Sequence, residues 1–419
     1  MFFLYRLIIN TILILSPIII IFRILKSKED PSRFKEKLGI FKKKNIKGKL
    51  IWFHGSSVGE ILSIIPLVEK FEKNKNIKNI LITSNTFSSS KVLKKFRLKK
   101  TIHQFLPIDS RILVKKFLSN WEPAVAIFIE SEIWPNMLLN IKNKHIPLLL
   151  LNARITRKSY EKWKKILPFS KIIFSCFNSC YPQNSETQKY LKSLGAKNIK
   201  HLGNLKFTES KNQKKENLTK NIKKNFTSRK IWCAASTHNN EERICAIAHM
   251  KLKKKYKNLL TIIIPRHIQR TNSLYNEITE MGLNVEIHSS KRKIKKDTDI
   301  YIVDTYGETK SFFKICNLVF LGGSVINHGG QNPLEAARLG CKILYGPNVQ
   351  NFKEIYELLN KDKLCFKFHN INQLITSIEK SFNENIKTEK KINKLKKTGL
   401  KILNLSLREI NKFKKINEI

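Results

Sequence analysis

The sequence predicts an α/β protein built on parallel, doubly wound sheets, and three observations support this fold class. Short apolar segments recur along the whole chain, among them LIWFH, ILITS, AVAIFI, LLTIIIP and LVFL. Segments with apolar residues at helical spacing lie between them. Strands that are apolar throughout are typical of parallel sheets covered by helices on both faces. The 419 residues and the 42% hydrophobic content suffice for two such domains.

The first predicted element is an apolar segment, Phe2 to Phe22, that is about long enough to cross a bilayer as a helix. No small-residue cleavage site follows it, which favours a retained membrane anchor over residues 1–24. Because Pro17 can break a helix, a hairpin-like monotopic insertion stays open. The rest of the chain is expected in the cytoplasm, since four basic residues follow the segment: Arg23, Lys26, Lys28 and Arg33.

The first α/β domain is expected over residues 30–207. Its first strand, in KLIWFHGSS, leads through a bend into a helix, and a second strand follows in NILITSN. A third strand, AVAIFIE, precedes the helix WPNMLLNIKNK and the strand PLLLLNAR. A polar, lysine-rich stretch over 208–230 then separates this half of the chain from the next.

The second α/β domain is expected over residues 208–384, with strands in IWCAAST, LLTIIIPRH, IYIVDT and LVFLGGS. A lysine-rich tail over 385–419 is predicted to be helical. In doubly wound folds, ligands bind at the carboxyl ends of the strands. Two such halves therefore predict a ligand site in the crevice between them.

A glycine-rich loop over residues 321–347 has the pattern of a phosphate-binding site. Glycines allow backbone N–H groups to approach an anion, and the start of a helix presents further N–H groups. Asn332 fits the N-cap of the following helix, Pro333 its first position and Glu335 its third. Glu335 is then either a capping-box partner or a ligand contact, and this segment alone leaves both open.

Charged side chains follow several of the predicted strands. Glu60 follows the first strand in HGSSVGE, and Glu130 ends the apolar strand AVAIFIE. Glu60 is either a carboxylate that complements a helix dipole or a general base that removes a proton from an attacking hydroxyl. Lys206 and Arg266 also follow strands, which predicts that cations and carboxylates converge on one edge.

The composition is strongly basic, with 80 Lys plus Arg against 32 Asp plus Glu and a net charge of +48. Such a balance points to an anionic partner, which is nucleic acid, an anionic bilayer or a phosphorylated substrate. Lys, Ile and Asn dominate throughout, as in proteins of AT-rich genomes, so the charge alone is weak evidence of function. The seven cysteines form no CxxC pair and are interpreted as reduced, buried thiols.

No metal or other cofactor is expected. Asp297 and Asp299 form a DxD pattern, but they precede a strand and are interpreted as a solvated turn. None of the motif histidines has a partner at metal-ligand spacing: His54, His238, His267 and His328. Among them, His267 is a candidate nucleotide contact and His54 a packed or hydrogen-bonded group.

Eight segments, taken in order, resemble the signature segments of bacterial 3-deoxy-D-manno-octulosonic acid (Kdo) transferases, the lipid A Kdo transferase family. They are HGSSVGE, IESEIWPNML, LNARITRKSY, LGNLKF, WCAASTHNNEE, IIIPRH, DTYGE and GGSVINHGGQNPLEAARLG. The resemblance implies a GT-B glycosyltransferase, with two Rossmann-like domains facing a cleft and an N-terminal anchor helix. It implies transfer of Kdo from CMP-Kdo to a lipid A precursor (lipid IV-A) at the cytoplasmic face of the inner membrane.

The resemblance also implies roles for individual residues. Glu60 is implied as the proton acceptor, and Glu130 and Lys206 as stabilisers of the transition state. With the base opposite the leaving group, the reaction inverts the anomeric centre. The residues implied to contact CMP-Kdo are Pro265, Arg266, Gly307, Glu308, Thr309, Asn332, Pro333, Leu334 and Glu335.

The sequence departs from the family pattern in two motifs of the second half. Gln331 stands where His is usual, and Tyr306 and Thr309 stand where Met and Leu are common. Gly55 and Ser56 of the first motif also replace bulkier or alanine residues. Two alternatives stay open, a GT-B enzyme that uses a UDP-sugar and a basic nucleic-acid-binding protein. The second leaves the membrane segment and the strand-end carboxylates unexplained, so no nucleic-acid partner is expected.

Overall fold

The computed structural model describes residues 1–41, 48, 50–210, 218, 222, 225–226, 228–290, 294–384 and 388–413. The chain forms two units, of which unit 1 comprises Met1–Lys214 and Lys397–Ile419 and unit 2 comprises Lys215–Lys396. Most of the lysine-rich stretch over 208–230 and the end of the C-terminal tail, 414–419, lie outside the described residues.

The centre of unit 1 is a six-stranded sheet in which every strand pair is parallel. Its order, β3-β2-β1-β4-β5-β6, is that of a Rossmann fold. The strands are apolar throughout because helices cover both faces of the sheet, and the apolar segments of the sequence therefore predict them. The strands are β1 (Leu50–His54), β2 (Asn79–Ser84), β3 (Thr101–Phe105), β4 (Pro123–Ile129), β5 (Leu148–Ala153) and β6 (Ser179–Pro182).

Helices cover both faces of this sheet and bury one hydrophobic cluster on each side. Several of them begin at a serine, threonine or asparagine whose side chain accepts a hydrogen bond from the first turn. The helices are α1 (Phe2–Leu25), α2 (Val58–Lys73), α3 (Phe87–Leu93), α4 (Arg111–Trp121), α5 (Pro135–Asn143), α6 (Arg157–Lys164), α7 (Leu167–Phe174) and α8 (Ser185–Ser193).

Unit 2 contains a seven-stranded parallel sheet of order β13-β12-β11-β7-β8-β10-β9. Its strands are β7 (Lys230–Thr237), β8 (Leu259–Pro265), β9 (Val285–Ile287), β10 (Ile300–Ile302), β11 (Leu318–Leu321), β12 (Lys342–Tyr345) and β13 (Cys365–Lys367). Its helices are α9 (Glu241–Lys253), α10 (Thr271–Glu280), α11 (Thr309–Phe313), α12 (Leu334–Arg338), α13 (Lys353–Lys361) and α14 (Ile371–Asn383).

The last helix, α15 (Glu389–Ile410), ends in the core of unit 1. Ile402, Leu403 and Ile410 are buried there in the cluster that also contains residues of α2 and β1. The helix backbone approaches the segment before unit 2 closely, because a Cβ added at Gly399 would collide with the carbonyl oxygen of Phe207. The C-terminal segment is therefore an integral part of unit 1.

The apolar N-terminal segment forms one continuous helix, α1, with Pro17 inside it. By length and composition this helix can cross a membrane. The hairpin-like alternative is wrong in this structure, because the helix is not interrupted at Pro17. A proline within a long helix removes one hydrogen bond but does not always end the helix.

The interpretation of Asp297 and Asp299 as one solvated turn is wrong for Asp299, which is 2% exposed. Its carboxylate pairs with Lys253 and lies 3.2 Å from Nε2 of His249. It also accepts a hydrogen bond from the backbone N–H of Asn284. Asp297 lies in an exposed turn, as expected. Asp299 therefore joins α9 to the residue that precedes β9. As expected, all seven cysteines are buried free thiols.

Candidate active site

The loop between β1 and α2 positions the carboxylate of Glu60. Ser57 is the N-cap of α2, and its hydroxyl oxygen accepts from the N–H of Glu60. The same hydroxyl donates to Oε1 of Glu60 over 2.8 Å, and the N–H of Ser56 donates to Oε2 over 2.6 Å. The side chain is therefore fixed at the start of α2 in a variant of the capping box, in which the carboxylate accepts from the N–H of Ser56, the residue before the N-cap.

The electrostatic surroundings of Glu60 favour its neutral form. Burial is the largest cause, and the neighbouring carboxylates of Glu132 and Glu130 add to it. Together they raise the pKa of Glu60 to about 7, against the opposing hydrogen bonds from Ser57 and Ser56. A carboxyl group with this pKa exchanges protons near neutral pH, which is the property that general base catalysis requires.

Glu130 and Lys206 form an ion pair, with 2.7 Å between Lys206 Nζ and Glu130 Oε1. Both side chains are largely buried. Glu130 directly follows β4 in the left-handed region, with φ 55°, a strained conformation for this residue type. Asn152 supports the pair, because its side chain donates to Glu130 and accepts from the N–H of Leu205. The sequence predicts that these charges converge, and the structure brings them together.

Glu132 is the member of this site to which the sequence analysis gave no role. Its Oε2 atom lies within 2.9 Å of three donors, which are His54 Nε2, Ser56 Oγ and Trp134 Nε1. Burial raises the pKa of Glu132. The hydrogen bonds from these donors, first of all from the His54 ring, outweigh burial and hold the pKa below its ordinary value. His54 is fully buried and hydrogen-bonded, as expected. The sequence carried part of this signal, since His54 ends one apolar strand segment and Glu132 lies just after another.

The topology explains why these groups meet. β1 and β4 are neighbours in the sheet, and the strand order reverses between them. The loops after two such strands diverge to opposite faces and leave a crevice at the carboxyl ends. Glu60 lies in the first turn of α2, just after β1, and Glu130 and Glu132 lie just after β4. This position is where doubly wound sheets bind ligands.

Unit 2 has its own reversal of strand order, between β7 and β11. The glycine-rich loop begins after β11, and its backbone N–H groups point to the carboxylate of Glu241 on α9. That carboxylate is fully buried and accepts from the N–H groups of His238, Gly323, Ser324 and Val325, over 2.7–3.1 Å. Glu241 was not identified from the sequence, because its partners lie more than eighty residues further along the chain.

Gly322 is required at the base of this loop. A Cβ added there would lie 2.5 Å from the carbonyl oxygen of Ser236 and 2.8 Å from Oε2 of Glu241. No side chain fits between these groups. The loop after β11 therefore depends on one glycine for its close approach to the end of β7.

The residues implied to contact the donor lie at the same end of the second sheet. Pro265 ends β8, and the N–H of Arg266 donates to the carbonyl oxygen of Thr237 at the end of β7. Next to them, the His238 ring lies 5.7 Å from His267 and 4.4 Å from His328 of the glycine-rich loop. Burial, followed by the two neighbouring rings, lowers the pKa of His238 to about 4.

The segments 307–309 and 332–335 are joined by an ion pair, with 3.4 Å between Lys310 Nζ and Glu335 Oε1. Gly307 has φ 100°, and Glu308 pairs with His288 over 3.0 Å. Thr309 begins α11 and Leu334 begins α12. The structure thus brings these two segments together.

The expected cap of α12 differs in detail from the sequence prediction. The helix begins at Leu334, so Pro333 rather than Asn332 is the N-cap. Asn332 still supports the helix start, because its Oδ1 atom accepts from the N–H of Leu334 over 3.1 Å. Glu335 is half-exposed and pairs with Lys310. Among the described residues, no three His, Cys, Asp or Glu side chains are grouped as metal ligands.

Comparison with known proteins agrees with this architecture. The family model for 3-deoxy-D-manno-octulosonic-acid transferase (kdotransferase) matches residues 32–209. A 3-deoxy-D-manno-octulosonic acid transferase of Rickettsia bellii is 35% identical over 401 residues, which cover 94% of this chain and 96% of that protein. The chain belongs to the Kdo transferase family.

Other members of the Kdo transferase family and one solved structure extend this result. The 3-deoxy-D-manno-octulosonic acid transferase of Haemophilus influenzae is 27% identical, covering 94% of this chain and 93% of that protein. The UDP-GlcNAc 2-epimerase of Neisseria meningitidis is 12% identical and has a TM-score of 0.55, covering 88% of this chain and 99% of that chain. This likeness concerns the fold, which is the GT-B type, and membership of the Kdo transferase family makes the chain a glycosyltransferase.

Proposed function

We propose that this protein transfers Kdo from CMP-Kdo to a lipid A precursor, lipid IV-A, in lipopolysaccharide core biosynthesis. One observation carries the proposal for unit 1: a carboxyl group with a pKa of about 7 lies at the reversal point of the sheet, beside a buried Lys–Glu pair. Membership of the Kdo transferase family supports the choice of sugar.

In this mechanism Glu60 is the proton acceptor. The acceptor's sugar hydroxyl attacks the anomeric carbon of Kdo, and its proton passes to the Glu60 carboxylate. The bond between that carbon and the phosphate oxygen breaks, and CMP leaves with the bonding electrons. The Ser56 N–H and the Ser57 hydroxyl hold the Glu60 carboxylate in one orientation. Little reorganisation of the side chain is therefore needed when the proton arrives.

Lys206 and Glu130 are proposed to stabilise the transition state. As the bond to the phosphate lengthens, the sugar gains positive charge and the phosphate gains negative charge. Lys206 is a cation held in a partly dry position, where its interaction with the developing negative charge is stronger than in water. The ion pair with Glu130, which Asn152 also contacts, holds Lys206 in this position.

Unit 2 is proposed to bind CMP-Kdo. Pro265 ends β8 and Arg266 follows it, and the Arg266 guanidinium is proposed to supply positive charge for the phosphate. Gly307, Glu308 and Thr309 form a second contact segment. The third comprises Asn332, Pro333, Leu334 and Glu335, of which the half-exposed Glu335 carboxylate is proposed to accept hydrogen bonds from ribose hydroxyl groups.

Attack from the face opposite CMP inverts the anomeric centre, and the proposed reaction is therefore an inverting displacement. A single carboxylate base in unit 1 fits this mechanism, since no covalent intermediate is formed. No metal or other cofactor enters the proposal. A monophosphate leaving group places less demand on a bridging cation than a diphosphate does.

The proposed location is the cytoplasmic side of the bacterial inner membrane, with α1 as the anchor. Its apolar composition and the basic residues that follow it support this location. The proposed division of roles gives residues 1–24 to the anchor, 30–207 to acceptor binding and 208–384 to donor binding, while the C-terminal helix α15 completes the core of unit 1. The lipid acceptor and the anionic lipid surface are then reached from the same side.

The test is transfer by the purified full-length protein with CMP-Kdo and lipid IV-A, with products resolved by mass spectrometry. A mass increase by one or more Kdo units is expected. Glu60→Gln should keep CMP binding and lose transfer by ~10²–10⁴-fold, the usual contribution of a general base. Glu72→Gln, on the same helix α2 but near its far end, is the matched control and should stay active.

Three results would contradict the proposal. Transfer at the normal rate by Glu60→Gln would show that Glu60 is not the general base. Thermal stabilisation by UDP but not by CMP would show that the donor is a UDP-sugar and not CMP-Kdo. A retained anomeric configuration in the product would exclude direct displacement.

A further inference from the structure

One side of α1 is packed on unit 1 along the whole length of the helix. Its buried residues, Ile9, Ser16 and Ile20, recur at spacings of seven and four, so they lie on one narrow face. Half-buried residues extend this face to both ends of the helix, from Phe2 to Arg23. The helix therefore lies lengthwise against unit 1 and does not project from it.

Specific contacts fix both ends of α1. Near its start, the Phe2 and Phe169 rings lie 4.6 Å apart, and the Tyr5 hydroxyl donates to Asp109 Oδ2 over 2.7 Å. At its other end, Arg23 pairs with the buried carboxylate of Glu29 over 3.1 Å. These contacts are polar as well as apolar, as in the packing of a helix against the rest of a folded domain.

A helix docked in this way cannot span a bilayer. A helix of 24 residues is about 36 Å long, which is close to the ~30 Å of the hydrocarbon core. If it spanned, the unit 1 groups along its packed face would lie at the depth of the lipid chains. Asp109, which is 2% exposed and ionisable, is one of them. Burying such surface in hydrocarbon is very costly, because its polar groups lose water.

The opposite side of α1 is an exposed apolar surface. Its members are large aliphatic and aromatic side chains that are 40–81% exposed: Phe3, Leu4, Leu7, Ile8, Ile12, Ile14, Leu15, Ile18, Ile19, Ile21, Phe22 and Leu25. Water-soluble monomers rarely expose a continuous apolar surface of this extent. An occupant must therefore cover it in the functional protein.

The groove beside the start of α1 indicates which occupant this is. It has a volume of about 680 Å³ and is lined by four cations, Arg6, Arg111, Lys115 and Lys144, next to the apolar Phe2. No carboxylate lines it, and among the described residues none of the four forms an ion pair. Unpaired cations beside an exposed apolar helix complement a phospholipid surface, which presents phosphates above acyl chains.

We propose that α1 lies in the plane of the membrane interface, and that the cationic groove binds the phosphate of an anionic phospholipid. The exposed side of α1 then enters the acyl region, and unit 1 rests on one leaflet. The inference rests on the proposed membrane location but not on the proposed donor or base. Transfer to a detergent-dispersed acceptor tests those separately.

The orientation of α1 is tested with an epitope tag placed before Met1, in inverted inner-membrane vesicles whose cytoplasmic face is outward. An in-plane helix keeps the tag on the outer face, so protease removes it from intact vesicles. A spanning helix places the tag in the lumen, where it resists protease until detergent is added. Protection of the tag would overturn the in-plane arrangement.

The groove is tested by flotation of the full-length protein with vesicles of phosphatidylethanolamine, with and without phosphatidylglycerol. Lys115→Gln should lower binding to the anionic vesicles about fivefold and leave binding to the neutral vesicles unchanged. Lys116→Gln is the matched control, since it removes the same charge from the same helix but does not line the groove. Equal losses in both variants would mean general surface charge and would remove the groove as a site.

A second copy of the chain is the competing occupant of the apolar surface. It predicts a stable dimer in lipid-free buffer that Ile14→Glu dissociates. The lipid proposal instead predicts that Ile14→Glu abolishes flotation without changing the oligomeric state. A dimer that no longer binds vesicles would overturn the proposal.

Discussion

The buried carboxylate of Glu241 accepts a hydrogen bond of 2.7 Å from the backbone N–H of Gly323. With the N–H groups of His238, Ser324 and Val325, four donors converge on its two oxygens. The shape of the glycine-rich loop after β11 is therefore set by a side chain from α9. Such N–H groups would each be unsatisfied without it, at a cost of ~1–3 kcal/mol.

Glu241→Gln should disrupt the loop, because an amide offers one acceptor oxygen and directs two N–H donors at other donors. We expect a loss of stability of roughly 2–3 kcal/mol and a clearly weaker affinity for CMP. Glu242→Gln is the matched control, since Glu242 is also buried in the first turn of α9 but pairs with Arg270. Urea unfolding and CMP titration measure both effects. Unchanged CMP affinity in Glu241→Gln would contradict the role of this contact.

The pH profile of transfer should report Glu60. The base acts in its deprotonated form, so kcat/KM is expected to fall as the pH drops below about 7, the pKa of Glu60. Glu132→Gln removes a negative charge that helps to raise this pKa, and it should move the acidic limb to lower pH. Steady-state kinetics between pH 5 and 9 provide the measurement. A limb that stays in place would mean that another group limits the rate.

The ionised Glu60 carboxylate should also lower the free energy of unfolding at neutral and alkaline pH. Its folded-state pKa of about 7 exceeds 4.5, the ordinary pKa of a glutamate, so the folded protein binds the proton more tightly than the unfolded chain. Stability then falls as the pH rises from about 4.5 through 7. Glu60→Gln should raise the free energy of unfolding by roughly 1–3 kcal/mol at pH 8, and much less at pH 4.5. Thermal melts at the two pH values decide, and an equal effect at both would refute the linkage.

Asp299 should behave in the opposite way. Burial raises the pKa of Asp299, but hydrogen bonds from His249, Lys253 and the Asn284 N–H outweigh burial and lower the pKa to about 2. Its contribution to stability is therefore present above about pH 4 and is lost as the pH falls through 2. Asp299→Asn should destabilise unit 2 by roughly 1–3 kcal/mol at pH 7. Asp297→Asn, in the exposed turn, should have little effect, and equal losses would argue against the buried pair.

The strands of the fold could be predicted because strands buried on both faces are apolar throughout. IWFH and VAIFI become neighbouring strands, β1 and β4, and the acidic residues after them meet for that topological reason. Lys206 differs, because it lies in a short 3₁₀ turn, Leu205–Phe207, and not directly after a strand as predicted, although it does pair with Glu130. Residues at strand ends are recognisable in a sequence, since the apolar run stops at them.

Other parts of the site could not be predicted, because they depend on pairs of side chains far apart in the chain. Glu241 resembles an ordinary acidic residue in the first turn of a helix, and its loop partners follow 82–84 residues later. Asp299 precedes a strand in a polar stretch, and its burial depends on His249 of α9. The docked face of α1 was not predicted either, although three polar residues on it, Tyr5, Ser16 and Arg23, distinguish it from the largely apolar exposed side.

The return of α15 to unit 1 has a consequence for any attempt to divide this protein. Unit 2 is tethered at both ends, so a single backbone break within it would not release either half. A fragment that stops before residue 397 would lose Ile402, Leu403 and Ile410 from its core. It would also lose Gly399, which lies against the Phe207 carbonyl, one residue from Lys206. The last helix of the chain is thus part of the scaffold that holds a proposed catalytic lysine, and an isolated acceptor half needs residues 397–413 supplied as a second piece.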